Sequence, residues 1–171
     1  MSTKYAHIIS HTHWDREWYL NSKYTKEWLV PFFEALFTMM EKEPGYRFVL
    51  DGQTLMIEDY LDQLQLEGKE VDKAKALIKK YAAQKRLIIG PYYLQPDWQL
   101  ISEEAIIRNL LIGMEMAREY GEPMPVGWLL DNFGQISQAP QIHRGFGLKG
   151  LFVWQGAEME PHRIKSEFLW K

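Results

Sequence analysis

Ala6-His7-Ile8-Ile9-Ser10-His11-Thr12-His13-Trp14-Asp15-Arg16-Glu17-Trp18 runs from an apolar stretch directly into two imidazoles and two carboxylates set among tryptophans. The stretch Ala6 to Ser10 reads as a buried strand. Along a strand, alternate side chains share a face, so His11 and His13, or His13 and Asp15, point the same way if the chain stays extended there. Imidazole nitrogen and carboxylate oxygen are both good ligands for Zn²⁺ and its neighbours among the divalent ions, and a catalytic site leaves one position open for water or substrate. A single His beside a strand is more often a hydrogen-bonded, half-buried residue, and a His-x-Asp pair alone is a weak motif. Two His, an Asp and two Trp gathered at one strand end favour a functional site.

Outward from this stretch, further short apolar runs read as strands: Arg47 to Leu50, Leu87 to Ile89, Val126 to Leu130 and Leu151 to Trp154. Helical periodicity fills the gaps. Trp28, Leu29, Phe32, Phe33, Leu36, Phe37 and Met40 recur on one helix face, with Pro31 expected in the first turn. Val71, Ala74, Leu77, Ile78, Tyr81 and Ala82 form a second stripe, with Lys73, Lys79 and Lys80 on the solvated side. Ser102 before Glu103 and Glu104 suits a helix start, and the stripe from Ala105 to Ala117 ends at Gly121. Thr54 to Leu64 and, more weakly, Gln138 to Phe146 are also helical in this reading. Strands alternating with helices imply an α/β fold of parallel strands with right-handed crossovers, in a barrel or an open sheet.

The strand ends carry the polar residues. Asp51-Gly52-Gln53 follows the second strand, Pro91-Tyr92-Tyr93-Leu94-Gln95-Pro96-Asp97 the third, and Asp131-Asn132-Phe133-Gly134-Gln135 the fourth. Barrel and doubly wound enzymes place their active sites at this rim. One such Asp means little, and Asp51 before Gly52 reads equally as a turn residue. Asp131 stands out because the apolar Val126 to Leu130 would fix it rigidly; a carboxylate held beside a cation stays ionised and can act as ligand, nucleophile or both. Its alternative role is a cap or turn leading into the Ser137 segment.

Composition bounds the classes. With 171 residues, 46% hydrophobic and 25% charged, the chain can bury a real core and is not a disordered tail. No apolar run approaches the length of a membrane span, so no membrane partner is expected. A net charge of −3 without a basic stripe argues against nucleic acid. Cysteine is absent and no apolar signal core follows Met1, which favours a cytoplasmic setting. The aromatic content of 14%, with seven Trp, largely belongs to a core but also suits stacking on sugar faces.

Taken together, His11-Thr12-His13-Trp14-Asp15-Arg16-Glu17-Trp18, Leu50-Asp51-Gly52-Gln53, Gly90-Pro91-Tyr92-Tyr93 with Gln95-Pro96-Asp97, and Leu130-Asp131-Asn132-Phe133-Gly134-Gln135 resemble the N-terminal catalytic domain of glycoside hydrolase family 38, the retaining α-mannosidases. The blocks follow the family's order through nearly the whole chain; the first and last are specific, the middle two weak alone. The resemblance implies that His13 and Asp15 bind one zinc ion, and that Asp131 both binds zinc and attacks the anomeric carbon. It also implies that Trp18 stacks on the mannose and that Phe133 lines the same pocket, with His11 supporting the ligand loop. The metal would hold the 2- and 3-hydroxyls and distort the ring toward an oxocarbenium-like state. The expected ligand is a mannose-containing oligosaccharide or a small mannoside such as mannosyl-glycerate.

The chain departs from the family pattern. The resemblance implies a further His ligand and a general-acid Asp downstream, yet His143 and His162 are the only later histidines and neither sits at a matching block. Trp98 follows Pro96-Asp97 where an acidic residue is common, and Gln155 stands where Arg is expected. The chain therefore reads as one domain, residues 1–171, forming the N-terminal portion of an incomplete seven-stranded parallel β/α barrel. Alone it is expected to be inactive and prone to homo-oligomerise through exposed sheet edges. Two alternatives stand beside this reading. One is a non-catalytic metal- or sugar-binding fragment. The other is a metal-dependent amidohydrolase or phosphoesterase barrel, against which counts the lack of a His after the second, third or fourth strand.

Overall fold

The computed structural model describes residues 3–155 and 167–170, so His162 lies outside the described residues. Helix α1, Ser22–Lys42, starts behind Asn21, whose side chain accepts the Lys23 N–H at 3.2 Å. It buries Leu29, Phe33, Leu36, Phe37 and Met40 along one face. The helix begins well before the apolar stripe, which puts Pro31 in its interior rather than its first turn. The short strand β1, Phe48–Val49, leads through α2, Leu55–Leu66, and α3, Val71–Ala83, to β2, Leu87–Ile88. A 3₁₀ turn at Trp98–Leu100 precedes α4, Glu103–Tyr120, where the Ser102 hydroxyl caps the Ala105 N–H at 3.3 Å. Strand β3, Gly127–Leu129, then passes through α5, Ala139–Gly145, to β4, Leu151–Val153.

Every recorded strand pairing is parallel: β1 with β2, and β3 with β4. Single bridges join His11 to Val49 and Gln53 to Tyr92, and the Met124 N–H reaches the Ile89 carbonyl at 2.9 Å on the way from β2 towards β3. Helices crossing between parallel strands give the α/β arrangement expected from the alternation of periods, here as two two-stranded pairs.

The expected strand at Ala6 to Ser10 is not formed. Pairing reaches only its end, where the Val49 N–H bonds to the Ser10 carbonyl at 2.9 Å. Upstream, Tyr5 is 83% and Ile8 92% exposed, so this apolar run is not part of the core. Among the described residues its only strand neighbour is β1, and a strand supported on one edge without a packed face lacks the contacts that would hold it.

Two clusters of buried side chains fill the interior. The first joins α1, α2 and α3 to β1 and β2 through Phe33, Met40, Leu50, Ile57, Ile78 and Tyr81. The second gathers Tyr92, Trp98, Leu110, Trp128 and Leu129 around α4, β3 and the turn before α4.

Candidate active site

Between His11 and Arg16 exposure alternates: His11, His13 and Asp15 are exposed, while Thr12, Trp14 and Arg16 are partly covered. The segment is fastened from beneath. Asp51, beyond the end of β1, accepts the Trp14 N–H at 2.7 Å, and Gln53 Nε2 donates to the Trp14 carbonyl at 3.0 Å. Arg16 donates from Nε and Nη2 to the buried Asp59 of α2 at 2.6 and 3.2 Å, and Lys26 of α1 adds a third contact to that carboxylate at 2.7 Å. The Thr25 hydroxyl donates to the Arg16 carbonyl at 2.7 Å. A charge pair this buried and this fully bonded fixes the segment's path rather than contributing large net stability.

Asp131, two residues after β3, meets this segment from the other core. His13 Nε2 is 3.2 Å from Asp15 Oδ1 and 3.3 Å from Asp131 Oδ2, while Nδ1 lies 3.7 Å from Asp51 Oδ2. Gln155 Nε2 donates to Asp131 Oδ1. The imidazole is held at a pKa of about 9, first by the Asp51 carboxylate, against an opposing effect of partial burial, with Asp15 and Asp131 adding to it.

These side chains open onto a cleft of about 430 Å³. Trp18 and Phe133 stand at it with exposed rings, Trp18 stacked on Tyr19 at 4.2 Å between centroids. Asp97 lines it too and accepts the Phe133 N–H at 2.7 Å, which sets the turn after Asp131. Asp15, Asp51, Asp97 and Asp131 thus share the cleft with His13, with no Lys or Arg among the described residues that line it. Such a concentration of carboxylates suits a cation and a neutral polyol.

The donor types are those that a zinc ion takes. Ligands at ~2.0–2.1 Å in a tetrahedral shell stand ~3.3 Å from one another, which is the spacing His13 keeps from both carboxylates. Among the described residues, however, no group of three or more His, Cys, Asp or Glu side chains is placed so that it could hold a metal ion as it stands. The match is therefore one of donor chemistry and pairwise spacing.

All five sequence-nominated site residues, His13, Asp15, Trp18, Asp131 and Phe133, line the one cleft. His11 is not among the residues lining it; its ring lies edge-on to Trp128 at 5.5 Å, and it bridges to β1. Asp51, Gln53, Gln95, Asp97 and Asn132 also line the cleft and were not nominated. Their common signal is position just beyond a strand end, which the turn-forming habit of Asp, Asn and Gly masks.

Residues 4–171 match the model of the glycosyl hydrolases family 38 N-terminal domain. The chain belongs to glycosyl hydrolase family 38. Over 155 residues, 90% of the chain, it is 38% identical to a protein of Halalkalibacterium halodurans named "Putative mannosylglycerate hydrolase". It is 25% identical to alpha-mannosidase 2C1 of Homo sapiens over 171 residues. A solved structure of an alpha-mannosidase from Enterococcus faecalis V583 superposes on 84% of the chain with a TM-score of 0.75 and 35% identity. The chain spans only 16% of the first relative and of that structure, and 15% of the human protein.

Proposed function

We propose that this chain supplies the zinc-binding and nucleophilic part of a retaining α-mannosidase, within the N-terminal portion of a seven-stranded parallel β/α barrel. The observation that carries the reading is the convergence of Asp15 and Asp131, more than a hundred positions apart in sequence, on one imidazole nitrogen at 3.2 and 3.3 Å. His13, Asp15 and Asp131 would hold the ion. Zinc bound there would supply Lewis-acid polarisation of the sugar hydroxyls.

The remaining work falls to the protein's own groups. Trp18 and Phe133 offer flat apolar faces to the sugar ring and exclude water from it. Asp131, kept in place by Gln155, attacks the anomeric carbon as the bond to the leaving oxygen breaks, giving a covalent glycosyl-enzyme. The departing oxygen takes a proton from a second carboxylic acid, which retaining chemistry sets about 5 to 5.5 Å from the nucleophile. In this reading that acid, and a further zinc ligand, belong to a part of the enzyme outside these 171 residues, so the chain alone is inactive. Water then cleaves the intermediate with net retention.

The substrate class is a terminal α-mannoside. The likeness to the Halalkalibacterium protein supports a small mannoside with a glycerate aglycone as one candidate alongside mannose-containing oligosaccharides. A cytoplasmic setting goes with the cysteine-free composition. Self-association goes with the exposed apolar residues before His11. No helix among the described residues is long and apolar enough to cross a membrane.

The test is hydrolysis of an aryl α-mannoside by the intact protein. Asp131→Asn is expected to lower kcat by on the order of 10⁴-fold while leaving the fold unchanged by circular dichroism. Near wild-type turnover by that variant, or substantial turnover by residues 1–171 alone, would overturn the assignment.

A further inference from the structure

Asp51 is the strained residue of the cleft. Its φ is +43°, in the left-handed region that side chains other than glycine seldom occupy, and Gly52 follows at +67°. The residue is 1% exposed. Oδ2 accepts from Trp14 N–H at 2.7 Å and Gln53 Nε2 at 2.8 Å, while Oδ1 is buried without a partner. A turn aspartate commonly bonds its own backbone two residues on. This one instead reaches a segment 37 positions away, and burying a carboxylate with an unfilled oxygen is costly. Nδ1 of His13 lies 3.7 Å from Oδ2, and a small rotation would bring it into hydrogen-bond range of the carboxylate.

The backbone that imposes this orientation is itself fixed. Gln95 Nε2 donates to the Asp51 carbonyl at 2.5 Å, and a Cβ on Gly52 would meet Trp128 Cβ at 2.7 Å.

The geometry points to Asp51 as a positioning residue: its carboxylate holds His13 in the tautomer protonated at Nδ1, so that the Nε2 lone pair faces the gap between Asp15 and Asp131. The inference rests on His13 being a metal ligand, as proposed above. Asp51 acts through the imidazole, fixing the ring and making Nε2 a better donor. Loss of such a partner typically weakens metal binding ~10–100-fold.

Zinc affinity of the intact protein, measured by competition with a chromophoric chelator, tests this without recourse to activity. Asp51→Asn is expected to bind zinc ~10–100-fold more weakly. The same substitution added to His13→Ala is expected to cause no further loss, because the effect passes through the imidazole. Wild-type affinity in Asp51→Asn overturns the inference, as does an undiminished loss in the His13→Ala background, which would mark a structural role. Should Asp51→Asn fail to fold, ¹⁵N imidazole shifts of His13 in the zinc-loaded wild-type protein decide: protonation at Nδ1 supports the role and protonation at Nε2 overturns it. Wild-type zinc affinity in His13→Ala would remove the metal reading itself, and this inference with it.

Discussion

His143 shows how one buried side chain ties stability to pH. It is 2% exposed, its Nδ1–H donates to the Ala139 carbonyl at 2.6 Å, and Nε2 accepts from the Tyr92 hydroxyl at 2.5 Å. Its ring stacks on Trp98 at 5.2 Å. Burial lowers its pKa from the ordinary 6.5, and the bond to Ala139 only partly opposes that. As pH falls below 6.5 the unfolded chain therefore takes up the proton first, so stability present above that value is lost on acidification. His13, whose pKa is raised to about 9, stays charged in the fold across this window while its unfolded counterpart takes up a proton near 6.5, so it adds stability on acidification and offsets the loss from His143. Thermal unfolding followed from pH 7.5 to 5.5 should therefore show the Tm of His143→Gln rising relative to that of the unsubstituted chain as the pH falls. A difference in Tm that does not change with pH would show that His143 does not carry this dependence. At this scale the sequence made some roles legible and hid others. Asp131 stands out because it follows an apolar run directly, and His13 because it shares a short stretch with His11, Asp15 and two tryptophans. Asp51 looks like any Asp-Gly turn, and it is in fact a turn residue as well; only its burial and its reach to Trp14 reveal a second task.

Among the elements, α1 carries the clearest conflict between local preference and tertiary demand. Pro31 sits inside the helix, where it cannot donate to the Glu27 carbonyl and its ring crowds the preceding turn. Both residues are on the exposed face, so water can satisfy that carbonyl, while Leu29, Phe33 and Met40 on the opposite face keep the helix in place. Pro31→Ala restores the bond at the cost of a more flexible unfolded chain, and should raise stability by roughly 1–2 kcal/mol. Chemical denaturation would measure it as a higher midpoint at unchanged slope; a lower midpoint would mean that the kink is needed for packing. The misplaced start of α1 has the same origin. Apolar periodicity marks the buried part of a helix, whereas Ser22 to Glu27 forms its largely exposed first turns and is signalled only by the Asn21 cap. The run Ala6 to Ser10 fails in the opposite sense, since its residues have strand character but too few neighbours to bury them.

For the molecule as a whole, the site lies on the seam between the two buried clusters. His13 and Asp15 ride on a segment bonded to the end of β1 and to α2, whereas Asp131 extends from β3 in the second cluster. That the cleft would form at strand ends could be foreseen from alternating strands and helices, because polar residues recur at successive carboxyl ends. That it would straddle two cores could not, since which strands pair depends on contacts between distant residues. A zinc ion bound across this seam would fasten one cluster to the other and bind only the folded chain. At a free concentration 100-fold above Kd, such binding stabilises by about 2.7 kcal/mol. For a chain of this size each kcal/mol moves Tm by roughly 2–4 °C, so zinc should raise Tm by roughly 5–10 °C and a chelator should reverse the shift. Asp131→Ala should abolish most of that gain even though it leaves His13 and Asp15 in place. Calorimetry showing the full zinc-dependent shift in Asp131→Ala would mean that the ion, if bound, does not join the two halves.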